Sequence, residues 1–217
     1  MPKAEYKRLE LYLTSVSVSL GTVLYEASEK IETIYFPNTS LISLVHTLKN
    51  GATTEVSLIG DTGMIGLSAI LGDSISQNRA VVQVPNCAMK ISAKILKQEF
   101  KRGGELQNVI HRYIQTRIDE ITQLAVCNAH HTIEERLARW LLTTSDLIQS
   151  DKLPLTQEFL GNMLGVRRSG VTLAAQTIQR AGIIDYRWGK ITILNRQALE
   201  ETSCECYQLF YDHFYRP

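Results

Sequence analysis

The spacing of apolar residues changes character three times along this chain. From about 11 to 95 the apolar positions come in short alternating runs broken by turn residues. Val16, Val18 and Leu20 alternate with Ser17 and Ser19, and Gly21 follows. Ile34 and Phe36 end at Pro37-Asn38, and Ile42, Leu44 and Val45 lead to Asn50-Gly51, a dipeptide that suits a hairpin turn. Val56 and Leu58 precede Gly60-Asp61, and Val82 and Val84 precede Pro85-Asn86, with Met89 and Ile91 beyond. Short strands at roughly 8–12-residue spacing predict an all-β barrel or jelly roll.

Near Ala93 the period lengthens. Residues 93–102 read as a short helix closed by Gly103-Gly104. A long helix follows, with Leu106, Ile110, Ile114, Ile118, Ile121, Leu124 and Ala125 spaced three or four apart. This stripe predicts a homodimer seam built from Ile110, Ile114, Ile118, Ile121 and Leu124, as in a coiled coil. Packing of the same stripe against the chain's own barrel is the competing use. A further helix over 132–149 carries Ile133, Leu137, Trp140, Leu141 and Leu147, and Ser150-Asp151-Lys152 breaks it.

The third change falls at 155–193. A short helix over 156–163 offers Phe159, Leu160 and Met163 to a core, with Leu164 beside them. Gly165 supplies a sharp turn, and a second helix over 169–181 turns Val171, Ala174, Ala175 and Ile178 inward. Two helices joined by a tight glycine-bearing turn make a helix-turn-helix. Beyond it, Tyr186, Trp188, Ile191 and Ile193 alternate around Gly189-Lys190, a small hairpin that makes the motif winged. Trp188 reads as a packing residue rather than a wedge into DNA.

Charge sharpens this reading locally and not globally. The 217 residues sum to +1, yet residues 152–196 hold seven Lys/Arg against two acids, a balance of +5. From Gln197 onward four acids face one Arg. Cations therefore gather where a groove-facing helix and wing need them. The composition, 44% hydrophobic and 21% charged, is that of a globular protein. No apolar run reaches the ~18 residues of a membrane span, and the first residues lack the apolar core of a secretory signal. These features predict a cytoplasmic protein with no membrane partner. The four cysteines, at 87, 127, 204 and 206, do not read as a disulfide framework.

A β-barrel, a long helix and a winged helix-turn-helix together resemble the Crp/Fnr family of bacterial transcription regulators. The strings that carry the resemblance are Ile34-Tyr35-Phe36-Pro37, Gly63-Met64-Ile65-Gly66-Leu67, Ile133-Glu134-Glu135-Arg136-Leu137-Ala138-Arg139-Trp140, and the helix-turn-helix itself. The resemblance implies an α+β chain of three parts. These are a cyclic-nucleotide-binding-like sensor barrel over 1–102, a dimerisation helix over 103–130 and a winged helix-turn-helix DNA-binding domain over 131–217.

By the same resemblance, Arg168, Ser169 and Thr172, with Arg167 just before them, stand where the recognition helix reads bases. Arginine suits guanine O6 and N7 through its planar fork. The family often carries Glu where Ser169 stands, so a different target sequence is expected. Thr156 and Gln157 suit a helix cap and a phosphate contact, and Arg187 and Lys190 suit backbone contacts from the wing. The expected partners are double-stranded DNA bearing a pseudo-palindromic operator, a second copy of the chain, and RNA polymerase. A small-molecule effector is left open.

Cyclic-nucleotide members hold the ribose through Glu in a Gly-Glu-x-Gly string and the phosphate through Arg before a Ser/Thr-Ala pair. The matching residues here are Gly63, Met64 and Gly66, then Asn78, Arg79 and Ala80, with the adenine contact at Ile121 or Thr122. Met64 offers no carboxylate and Asn78 no charge, although a one-residue slip would put Arg79 at the phosphate. Control by cyclic AMP is therefore not expected. The iron–sulfur branch uses N-terminal cysteines, whereas the first cysteine here is Cys87. Cys204-x-Cys206 shows no partner pair in the sequence, and His130-His131 point about 100° apart on a helix. No metal site or other cofactor is assigned. His46 or a cysteine is available as an axial haem ligand, but no spacing favours it.

Two other readings remain. A cupin-type enzyme needs clustered His and carboxylates, and His46 is the one histidine of the barrel segment, so no enzyme is expected. An effector-sensing module acting through a protein partner rather than DNA is opposed by the basic recognition segment.

Overall fold

The computed structural model describes residues 2–212, which divide into two compact units. The first comprises the chain up to His46 with Val56–Asp119, and the second Thr47–Glu55 with the chain from Glu120 on.

The first unit opens with α1 (Lys3–Glu10), β1 (Thr14–Val18), β2 (Val23–Tyr25) and β3 (Thr33–Pro37). There follow β4 (Leu41–Thr47), β5 (Thr53–Ile59), α2 (Ser68–Leu71), β6 (Arg79–Val84), β7 (Asn86–Ser92) and α3 (Ala93–Lys101). The strands form two sheets, β1-β7-β3 and β2-β6-β4-β5, so the jelly-roll alternative holds. Register places Ile34 opposite Ile91 and Leu44 opposite Ala80. The inward residues of both sheets, including Ile34, Ile42, Ala80, Val82, Ala88 and Ile91, join one core. The run at Val16 stops short of its alternation. Its strand ends at Val18, and Leu20 lies exposed in the turn where Thr22 donates to the carbonyl of Ser19.

Helix α4 (Glu105–His130) supplies residues to both units. Its start is capped from outside by the Glu5 carboxylate, which accepts from the backbone N–H of Glu105 at 3.3 Å and of Leu106 at 2.9 Å. The expected seam divides. Ile110 is 4% exposed and sits with Leu106 in the core of the first unit, and Ile114 packs partly against it. Ile110 thus leaves the seam, as the competing use of the stripe required. Leu124 packs instead against Cys127, Cys204, Cys206 and Phe210. Ile118 and Ile121, 53% and 49% exposed, keep the face. The physical reason is rotation. At about 100° per residue each step of four overshoots a full turn by about 40°, so Ile118 points about 120° away from Leu106.

In the second unit α5 (Ile133–Ile148) starts with a capping box. The Thr132 hydroxyl accepts from the Glu135 N–H, and the Glu135 carboxylate accepts from the Thr132 N–H at 2.7 Å. The Thr132 N–H and the Thr132 hydroxyl, the latter at 2.8 Å, both donate to the Glu135 carboxylate and hold it below its usual range. Then come β8 (Lys152–Leu153), α6 (Gln157–Leu164), α7 (Arg168–Arg180), β9 (Ile184–Arg187), β10 (Lys190–Ile193), α8 (Arg196–Thr202) and α9 (Cys206–Phe210). The strands pair antiparallel in the order β8-β10-β9. Trp140 donates its indole N–H to the Glu55 carboxylate at 2.8 Å, within the buried interior of this unit. No helix among the described residues is long and apolar enough to cross a membrane.

Candidate nucleic-acid interface

The first helix of the motif starts where the sequence places its cap. The Thr156 side-chain oxygen accepts from the Phe159 N–H at 3.1 Å, replacing one hydrogen bond that the helix start lacks. Its other end is held from α5, where buried Arg136 donates to the carbonyl of Leu164. A guanidinium at the carbonyl end of a helix also opposes the helix dipole favourably.

Two glycines set the angle between α6 and α7. Gly165 takes the left-handed backbone at φ +65°, and a Cβ there would come within 2.6 Å of Thr54 Oγ1. Gly161, which the sequence pattern gave no reason to single out, lies inside α6. A Cβ on it would meet the carbonyl oxygen of Val166 at 3.0 Å, so the chain leaving the turn passes directly over it. The Val166 N–H closes this passage by donating to the Gly161 carbonyl at 2.9 Å.

Helix α7 buries Val171, Ala174, Ala175 and Ile178, the expected inner face. Arg167, Arg168 and Ser169 are exposed at its start. Thr172 is partly covered, its hydroxyl 2.9 Å from Gln157 Oε1 and 3.0 Å from the Arg168 carbonyl. One turn on, Leu173 is 64% exposed and Gln176 is also open. Neither stood out in the sequence, because an apolar residue in an amphipathic helix reads as core.

The wing corrects one expectation. Its two-residue turn is Trp188-Gly189, with both residues at positive φ, rather than Gly189-Lys190. Such a turn follows the twist of its strands. Trp188 is 98% exposed and packs on nothing there. Arg187 pairs with Asp185 at 2.8 Å, and Lys190 is exposed. Thr156, Gln157 and Arg168 meet Tyr186, Trp188 and Gly189 around a polar notch of about 260 Å³. Arg167, Ser169 and Lys190 lie outside that lining. Burial raises the Tyr186 hydroxyl pKa above its ordinary value, and the nearby Arg168 opposes that shift.

This arrangement of cap, turn, exposed basic helix start and wing decides the assignment, and comparison with known proteins agrees. Residues 135–202 match the Crp-like helix-turn-helix domain. The C-terminal part of the chain therefore carries a Crp-like helix-turn-helix domain.

The Vibrio cholerae fumarate and nitrate reduction regulatory protein is 24% identical to this chain over 195 residues, 85% of this chain and 76% of that one. A Crp/Fnr-family protein from Eubacterium rectale superposes with a TM-score of 0.79 at 22% identity, covering 93% of this chain and 94% of that one. FixK2 from Bradyrhizobium japonicum superposes at 0.74 and 16% identity, covering 88% and 98%. The first two of these relatives are named as regulatory proteins rather than enzymes, and the protein-partner reading is not favoured.

Gly63 and Met64 line an apolar cavity of about 420 Å³ with Phe36, Met89, Leu106 and Tyr113, while Asn78, Arg79 and Ala80 form none of its wall. Met64 is buried, and Tyr113 clamps its backbone. The hydroxyl accepts from the Met64 N–H and donates to the Met64 carbonyl, both at 3.1 Å. Asn78 Oδ1 sits 3.0 Å from His46 Nδ1, and Arg79 pairs with Glu26 at 3.5 Å. Gly66 sits in the turn after Ile65, whose N–H donates to the Tyr35 carbonyl at 2.8 Å. Ile121 and Thr122 are exposed on α4.

Replacing Gly165 tests the turn. Gly165→Val places a β-branched residue at positive φ against Thr54, at about 1–3 kcal/mol for the backbone alone. Urea unfolding should show at least that loss. An unchanged midpoint would mean that the turn relaxes freely and does not fix the two helices.

Proposed function

We propose that this regulator binds a pseudo-palindromic duplex operator as a homodimer and acts without cyclic AMP. The notch between the α6 cap, Arg168 and the wing turn carries the reading. It offers a polar, phosphate-sized recess flanked by an exposed arginine and an exposed indole. In this reading Arg168 and Ser169 meet base edges, Thr172 orients Gln157, and Leu173 faces a thymine methyl. Thr156, Gln157, Arg167, Arg187 and Lys190 meet phosphates. Trp188 lies over the sugar-phosphate chain at the edge of the site. The chromosome is the ligand, so the cytoplasm is the compartment, and RNA polymerase is the machinery the bound regulator acts on.

Dimerisation uses the outward face of α4. Ile114, Ile118, Ile121 and Ala125 follow the four-three-four spacing of a coiled-coil seam, and Ile118 and Ile121 supply its exposed apolar surface. Two recognition helices related by a two-fold then meet half-sites about 34 Å apart.

On the sensor side, Met64 replaces the ribose carboxylate and Asn78 the phosphate cation. Each lost charge-assisted hydrogen bond costs a ligand about 1.5–3 kcal/mol. The apolar cavity beside Met64 suits an apolar effector better than a nucleotide.

Binding to selected DNA fragments tests the reading face. Arg168→Ala should cost about 1–3 kcal/mol and relax preference at one base pair per half-site, whereas Lys190→Ala should weaken all sequences evenly and lower the salt slope by about 1. Unchanged sequence preference in Arg168→Ala would place the reading face elsewhere.

The seam has its own test. Ile118→Asp combined with Ile121→Asp buries unpaired charge at several kcal/mol in the proposed dimer. Sedimentation should then report monomer, and a variant that stays dimeric would move the seam off this face.

Calorimetry with cyclic AMP should give no micromolar binding. A micromolar affinity that also strengthens operator binding would overturn the effector reading and put Arg79 on the phosphate.

A further inference from the structure

The second unit brings together four side chains that DNA recognition does not use. Cys127 lies near the end of α4 and His131 directly follows it, with the His131 N–H donating to the Cys127 carbonyl at 3.1 Å, so the two lie one turn apart on the same side. Cys204 precedes α9, and Cys206 begins it. The four potential ligand atoms all lie within 4.8 Å of one another. The sequence showed no partners for Cys204 and Cys206. The structure supplies them from about 75 residues upstream, and it turns His131 to them while leaving His130 exposed.

The separations are those of ligands around one ion. Cys127 Sγ lies 3.7 Å from Cys204 Sγ, and Cys206 Sγ lies 3.6 Å from His131 Nδ1. A tetrahedral zinc ion with Zn–S bonds of about 2.3 Å holds its sulfurs about 3.8 Å apart and a sulfur and nitrogen slightly closer. The cysteines are free thiols. Iron–sulfur clusters spread their ligands over several irons and need them further apart.

The surroundings fit a metal as well. His131 Nε2, the nitrogen turned away from the sulfurs, lies 3.1 Å from the Glu205 carboxylate. A carboxylate behind a ligating histidine fixes its tautomer and leaves the other nitrogen's lone pair on the ion. Gln123 donates to Cys206 Sγ at 3.0 Å, the kind of bond a thiolate accepts. Leu124 and Phe210 close the site with apolar surface, and the Arg139 guanidinium stands 4.9 Å over the Phe210 ring. That cation sits well to balance three thiolates around a divalent ion, which together carry one negative charge.

We propose that Cys127, His131, Cys204 and Cys206 bind one Zn²⁺ ion in a closed tetrahedral site that fastens the C-terminal segment to the end of α4. Three Zn–S bonds and one Zn–N bond form, and three thiol protons leave to solvent. Four protein ligands leave no open position, so the site is structural rather than catalytic.

The test uses the full chain purified under reducing conditions. Elemental analysis should give one zinc per chain. After zinc removal, Co²⁺ should produce the intense visible bands of a tetrahedral ion with thiolate-to-metal charge transfer. Cys204→Ser and Cys206→Ser should each weaken Co²⁺ at least tenfold. His131→Ala should shift the visible bands, and His130→Ala should leave them unchanged. Glu205→Gln, a substitution outside the ligand set, should weaken binding about tenfold. Absence of Co²⁺ bands in the reduced parent chain would overturn the proposal even if every variant misfolded. Iron with acid-labile sulfide, or copper in place of zinc, would also overturn it, as would equal spectra for the two histidine variants.

Discussion

The DNA-binding unit depends on the burial of one helix. Ten consecutive residues of α5, Arg136 to Ser145, are shielded from solvent, and α6, α7, α8, α9 and β8 all pack against it. A helix buried on every side normally carries apolar residues throughout. This one holds Arg136, Arg139, Thr143, Thr144 and Ser145 among its leucines. Several of their polar groups bind neighbouring segments. Arg136 takes the end of α6, Thr144 returns its hydroxyl to the Trp140 carbonyl, and Ser145 donates to Asp151 at the start of the wing sheet. At the other end Asp146 accepts from both Arg196 and Tyr207, which ties α8 and α9 to the same helix. These hydrogen bonds hold α6, α8, α9 and the wing sheet, while α7 packs against the same helix through its buried face of Val171, Ala174, Ala175 and Ile178.

Legibility in the sequence followed how local each signal was. The helix-turn-helix depends on neighbours in the chain, and its cap at Thr156, turn at Gly165 and inner face on α7 fall where the pattern put them. Thr132 and Gln149, which bound α5, were equally readable. Helix α1 has one buried side chain, Leu9, and α2, α8 and α9 are only four to seven residues long. They were invisible because no apolar period can establish itself in so little chain. The stripe on α4 looked like one surface and is two, since steps of four and of three turn opposite ways around a helix. Trp188 failed differently. Its size argued for burial, but the two-residue turn around it reverses the chain and leaves the ring no neighbour. The cysteine and histidine cluster draws on segments about 75 residues apart, a distance over which spacing carries no information.

In the first unit the hydroxyl of Tyr113, from α4, already occupies both the N–H and the carbonyl of Met64. Tyr113 belongs to the same helix as Ile118 and Ile121, the residues of the proposed seam.

The chain contains two tryptophans, and the structure places them in opposite surroundings. Trp140 is sealed in the interior, with its N–H on Glu55 and its ring edge-on to Phe159. Trp188 stands in water at the tip of the wing. The first indole emits from an apolar cage and senses unfolding. The second emits from solvent and senses whatever comes to lie against the wing. One emission spectrum therefore separates loss of structure from occupancy of the DNA face, and no dye has to be attached to either.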